Sequence, residues 1–180
     1  DTSPHWPFSR ETREQCWHEA MCSPAPDRGG CQFVAAEDPK AEFQCGVERD
    51  TQRQIWWYMS PAAVVLEVGS RYGTVSCAIS KRQRYSGMRI SVEPDKRALD
   101  EFLNANIKQN GCSGQQVWGV VGSTKSLLPH GGSYGTMAGP SDSGDIPAYS
   151  IAELEQKLPL LADGRRLVKI FAYERAGDVE

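Results

Sequence analysis

The sequence predicts an α/β domain on a doubly wound, mostly parallel sheet, behind a Cys-rich irregular N-terminal extension. Three observations predict it. Short apolar runs at 62–68, 88–92, 116–121 and 166–172 alternate with helical patterns. Strand–helix alternation calls for right-handed crossovers and a parallel sheet. The first run ends in a glycine-rich turn, Gly69-Ser70-Arg71-Tyr72-Gly73, that opens the next helix. Cys16, Cys22, Cys31 and Cys45 lie among Pro24, Pro26, Gly29, Gly30 and Pro39, which marks loop.

We place the extension at 1–50 and the domain at 51–180. Residues 48–59 suit a helix that stops before Pro61, because a residue preceding proline avoids the α region. Trp56, Trp57 and Tyr58 are expected on its packing face. The run Ala62-Ala-Val-Val-Leu-Glu-Val68 reads as a buried parallel strand. A helix is expected over 74–81 and a second strand over 88–92. In the helix expected over 95–109, Ala98, Leu99, Phe102, Leu103 and Ile107 share one face, and Gly111 closes it. A third strand follows at 116–121. Residues 122–149 read as a long Gly/Ser-rich loop, a length that is usually functional or mobile. Ser150-Ile-Ala-Glu153 is a capping box opening a helix to about Leu161. The fourth strand is 166–172.

The 180 residues make one domain with a real core. The apolar fraction of 39% and charged fraction of 24% exclude wholesale disorder. The net charge of −3 gives no basic surplus for nucleic acid or an anionic membrane. No apolar run reaches the ~18 residues of a transmembrane segment. The chain opens on Asp1 rather than Met, as a processed or excised piece does. The four early cysteines lack the spacing of a zinc site and suit two disulfides, which leans toward the secretory route or an extracellular location. Cys77 reads as a small buried helix residue, the usual fate of a free thiol.

The turn carries the functional signal. It lies at the carboxyl end of a strand, where open α/β sheets bind ligands. The N–H groups of the helix start attract negative charge. A dinucleotide fingerprint would place glycine where Arg71 stands, and a phosphate-binding P-loop would need Gly-Lys-Ser/Thr. Glu93 ends the second strand, twenty residues after Gly73. An acid there can accept both hydroxyls of a ribose.

Glu67-x-Gly69-x-x-x-Gly73 resembles the first motif of class I S-adenosylmethionine-dependent methyltransferases. Val92-Glu93-Pro94-Asp95, followed by Leu103-x-x-Asn106-x-x-x-Asn110, resembles the FkbM-like members, as does the stretch from Ile146-Pro147 to Leu154-Glu155. The resemblance covers about 62–180. It implies a Rossmann-like sheet of class I methyltransferase type and S-adenosylmethionine as cofactor. Glu67, Gly69, Ser70, Arg71, Tyr72 and Gly73 would then line its methionine portion. Glu93 would hold the ribose. Pro94 and Asp95 would edge the adenine, with Val121, Gly122 and Ser123 on its other side. Tyr72 would lie near the sulfonium or else pack against the loop. The family's Asp-x-Glu-Gly falls either on Phe171 or, displaced, on Asp178-Val179-Glu180. Three further strands of the family's sheet are not visible, so the chain reads as truncated after its fourth core strand.

The resemblance points to O-methylation of a sugar or small-metabolite acceptor. A hydroxyl acceptor needs a general base. His130 is the candidate by residue type, with Glu174 next, then Asp178 and Glu180; His5 and His18 have no partner pattern. No metal-ligand spacing stands out. Two other readings stay open: an NAD(P)-dependent oxidoreductase on a similar sheet, and a catalytically inactive fold kept as a disulfide-stapled binding module. The sequence does not determine an oligomeric state.

Overall fold

A computed structural model describes residues 33–34, 42–43, 48–84, 88–127, 138–157 and 167–171. Its centre is a four-stranded parallel sheet. Strands β3 (Val64–Val68), β4 (Arg89–Glu93), β5 (Gln115–Trp118) and β10 (Leu167–Phe171) lie in the order β10-β3-β4-β5. Val65 pairs with Arg89 and Val168, Val92 with Val117, and Phe171 with Val68. Two strands of the extension, β1 (Phe33–Val34) and β2 (Glu42–Phe43), pair antiparallel.

Helices cover both faces. Helix α1 (Arg49–Tyr58) and α2 (Thr74–Arg82) meet Val65 through Ile55, Met59, Val75, Ala78 and Ile79. Helix α3 opens in π form over Ala98–Leu103, continues over Asn104–Gln109, and packs beside α2. The other face is apolar. Val64, Leu66, Met88, Ile90 and Val92 pack under Leu154 of α4 (Ile151–Lys157). Period-two alternation produces the division: odd positions of β3 and β4 meet α1 and α2, even positions meet α4.

Several expectations hold and several change. The strand at 62–68 begins two residues later. In α1 the buried stripe is Gln52, Ile55 and Met59 rather than the aromatic triplet: Trp56 is half-buried and Tyr58 is 72% exposed. The strand expected over 116–121 breaks at Gly119. Its outer half, β6 (Val120–Val121), leaves the sheet and pairs in parallel with β9 (Ala148–Tyr149). A Cβ on Gly119 would stand 2.6 Å from the Tyr149 ring and 2.7 Å from the Pro147 carbonyl oxygen, so only glycine allows the crossing. The region 122–149 also contains an antiparallel pair, β7 (Ser126–Leu127) with β8 (Gly139–Pro140). It is therefore not one open loop. The capping box forms as expected: Ser150 N–H donates to Glu153 Oε2 at 2.7 Å, and Glu153 N–H donates to Ser150 Oγ at 3.2 Å.

Cys77 is not a free thiol. It forms a disulfide with Cys112, with the two Cα atoms 5.3 Å apart. The bond closes a 35-residue separation and constrains the unfolded chain by about 3–4 kcal/mol. The four early cysteines lie outside the described residues. Among the described residues no helix is long and apolar enough to cross a membrane.

The face covered by α1 and α2 holds a buried ionic cluster. Glu67 and Arg89 are both fully buried. Glu67 Oε2 accepts from Ser76 Oγ at 2.6 Å, from Arg89 Nη1 at 3.3 Å, and from Ser91 Oγ. Arg89 Nη1 also donates to Ser91 Oγ, and its Nε and Nη2 donate to the Ser113 carbonyl at 3.3 and 3.1 Å. Burial holds the Arg89 pKa below its ordinary value, and Glu67 opposes that shift. Removing one partner strands the other charge in a dry site. We expect Arg89→Met to cost about 3–5 kcal/mol, and the Glu67→Leu/Arg89→Met double variant to cost clearly less. Urea unfolding of the three proteins checks this, and a double variant as unstable as the single would refute it.

Candidate functional site

The turn from Gly69 to Gly73 joins the end of β3 to the start of α2. Gly69 N–H donates to the Val92 carbonyl at 2.8 Å, which ties the turn to the adjacent strand. Gly73 N–H donates to the Ser70 carbonyl at 2.7 Å. Gly73 has φ +83°, and a Cβ there would stand 2.9 Å from Leu103 Cδ1 and 3.4 Å from Ile107 Cδ1. Both the backbone conformation and the approach of α3 require glycine.

Glu93 is the hub. Its side chain is turned into the turn rather than outward, and the residue is only 3% exposed. Oε2 accepts from Ser70 N–H at 3.0 Å and Arg71 N–H at 2.7 Å. Oε1 accepts from Asp95 N–H at 2.9 Å. Burial raises the Glu93 pKa. The backbone donors of Asp95 and Arg71 and the Arg71 charge pull it back, and Asp95 adds to the rise.

Asp95 caps α3. Its Oδ1 accepts from Arg97 N–H at 3.0 Å and Ala98 N–H at 3.1 Å. Its Oδ2 accepts from Arg71 Nη1 at 3.1 Å. Arg71, at φ 26°, lies 5.4 Å from the Tyr72 ring centroid. Tyr72 is buried against Ala98 and Phe102 of α3. Asn106 is fully buried and its Nδ2 donates to the Tyr72 carbonyl at 2.9 Å.

The structure thus brings Gly69, Ser70, Arg71, Tyr72, Gly73, Glu93 and Asp95 together. Pro94 adjoins them, its carbonyl accepting from Trp118 Nε1 at 3.0 Å. Gly119 N–H donates to the Glu93 carbonyl at 3.0 Å, and from there the chain leads to Val121 and Gly122. Val121 packs partly against the α4-side core, while Gly122 and Ser123 are exposed. Glu67 is the penultimate residue of β3, in the ionic cluster rather than on the turn. His130, Glu174, Asp178 and Glu180 lie outside the described residues. Among those described, no group of three His, Cys, Asp or Glu side chains converges to hold a metal ion.

Sequence reading missed three parts of the site. Asn106 stood in a quoted motif but without a role. Asp95 before an apolar-periodic helix carried the signal of an N-cap. The position of Gly119 carried no signal that separates it from an ordinary strand glycine.

Two outcomes follow. Gly73→Ala should lower stability by about 2 kcal/mol, from left-handed strain and the displacement of Leu103. Urea unfolding measures it, and a loss below about 0.5 kcal/mol would mean that α3 yields freely. The second concerns pH. With its pKa raised, native Glu93 keeps its proton to higher pH than in the unfolded chain. Its contribution is therefore full below the ordinary value of about 4.5 and falls as pH rises above it. The stability difference between wild type and Glu93→Gln should shift in that direction across the window. A difference independent of pH would place the Glu93 carboxyl in solvent.

A scan against protein-family models finds no match, and searches of the curated proteins and of the solved structures find none either.

Proposed function

We propose that the chain binds S-adenosylmethionine at the glycine turn, as a methyltransferase acting on a hydroxyl of a sugar or small metabolite. One observation carries the reading. The turn after β3 and the acid ending β4 form one hydrogen-bonded unit beside the point where strand order reverses. From β3 the chain steps to β4 and β5 on one side, then returns across the α4 face to β10 on the other. Such a reversal opens a crevice at the strands' carboxyl ends, where doubly wound sheets take their ligands. The motif resemblance of residues 62–180 supports the same cofactor.

The residues fit such a group. Ser70 Oγ is buried in the turn without a hydrogen-bond partner. Glu93 Oε1 accepts one donor and has capacity for a ribose hydroxyl. The bound cofactor would supply an activated methyl group. The chain's own part is to hold the ribose at Glu93, offer turn donors to the remainder, and exclude water. Arg71 occupies the place of a dinucleotide motif's middle glycine and is paired with Asp95, which disfavours a nicotinamide dinucleotide there. One feature favours a second reading, a catalytically inactive binding module: Glu93 Oε2 is already committed to two turn amides.

Calorimetric titration with S-adenosylhomocysteine, and separately with NAD(P)H, tests these readings. We expect micromolar binding of the first, weakened by about 1.5–3 kcal/mol in Glu93→Ala through loss of charge-assisted hydrogen bonds. Tight NAD(P)H binding would overturn the methyltransferase reading. A folded chain that binds neither would be the inactive module.

A further inference from the structure

We propose that the Cys77–Cys112 disulfide is a redox latch on the glycine turn. The oxidised bond holds α3 against residues 69–73, and reduction by a dithiol releases it. Its bearing on function rests on the reading of that turn as a ligand site. The latch itself rests on geometry.

The turn is held by β4 on one side, through Glu93 and the Val92 carbonyl, and braced by α3 on the other. Arg71 sits at φ 26°, a backbone region that non-glycine residues seldom adopt. At its amino end α3 supplies Asp95, which accepts the Arg71 guanidinium. Near its carboxyl end α3 supplies Asn106, which donates to the Tyr72 carbonyl. Between them Leu103 and Ile107 lie against Gly73.

The disulfide joins the two ends of this arrangement. Cys77 lies one helical turn beyond Gly73, and its N–H donates to the Gly73 carbonyl at 2.9 Å. Cys112 follows α3, and its N–H donates to the Ile107 carbonyl at 2.9 Å. The bond therefore fastens the first turn of α2 to the exit of α3, amid Leu99, Leu103, Ile107 and Trp118. Beyond Cys112, Ser113 carries the carbonyl that Arg89 uses, and its N–H donates to Ser80 Oγ at 2.8 Å. Strands β3 and β4 are held by their own ladder and by the α4-side core, neither of which passes through the sulfurs. Breaking the bond should loosen the α3 side of the turn while the sheet persists.

Cys112 is 8% exposed and Cys77 2%. The reductant's thiolate attacks Cys112 Sγ, the S–S bond breaks, and its electron pair leaves on Cys77 Sγ. The reductant's second thiol then displaces Cys112 from the mixed disulfide. Two electrons and two protons pass to the cysteines, and the dithiol becomes a cyclic disulfide.

The test is amide hydrogen exchange on the full chain in three forms: oxidised, reduced with dithiothreitol, and Cys77→Ser/Cys112→Ser. We expect exchange at Ser70, Arg71 and Gly73 to rise roughly tenfold or more in the second and third forms. The Val65 and Val92 amides should stay within about twofold. An unchanged turn overturns the latch. So does a rise shared with the sheet, or global unfolding, since either makes the bond a general staple. An effect of dithiothreitol absent from the double variant assigns the change to other cysteines and overturns it as well. Parallel titration with S-adenosylhomocysteine should show affinity falling with turn release. Equal affinity in all forms overturns the latch, whereas release without binding by any form removes the cofactor reading and leaves the latch standing.

Discussion

A buried carboxyl group needs hydrogen-bond partners, and the Glu93 side chain finds three donors by gathering three segments. Ser70 and Arg71 come from the turn, Asp95 from the start of α3, and Glu93 itself ends β4. Desolvating a carboxylate costs several kcal/mol, and each charge-assisted hydrogen bond returns about 1.5–3 kcal/mol. The three donors are all backbone amides, so the requirement acts on chain path rather than on side-chain identity. Once the strand end, the turn and the helix start share one side chain, a shift of any of them costs it a hydrogen bond. The Arg71–Asp95 pair, the Tyr72 packing and the fit of Gly73 under α3 all follow from that junction.

The same logic runs through the sheet. Its α4 face is filled by Val, Leu, Ile and Met. Its other face carries Val65 beside Arg89 and, nearer the carboxyl ends, Glu67 beside Ser91. Two serine hydroxyls, those of Ser76 and Ser91, and the Ser113 carbonyl let the ion pair persist in a dry interior, although Glu67 Oε1 still lacks a partner. A buried pair of this kind is weak evidence for stability.

Much of this was legible in the sequence where the signal is local. The β-branched run before Gly69, the apolar face of 95–109, and the Ser150–Glu153 box each act within a few residues, and each gave the correct element. The glycine turn was legible because its constraints are backbone constraints. What depends on distant partners was not. Cys77 and Cys112 lie 35 residues apart with nothing between them to announce the pairing. The α1 face depends on where α2 and β3 lie, so the most hydrophobic triplet proved a poor guide to the buried stripe. The orientation of Glu93 depends on amides more than twenty residues upstream. Sequence spacing placed the acid beside the turn, but it could not say that the acid would face it.

Gly119 has a bearing on how the molecule meets others of its kind. A sheet whose last strand runs long and straight offers a row of open amides and carbonyls as a template for a second chain. Here β5 is only four residues long before Gly119 carries the backbone out of plane and into pairing with β9. The hydrogen-bonding groups that would have prolonged the template are spent within the same molecule: Val120 N–H donates to Pro147 and Gly122 N–H to Tyr149. One residue without a side chain thus shortens the sheet's sticky border on that flank, and a passing strand finds little there to grip.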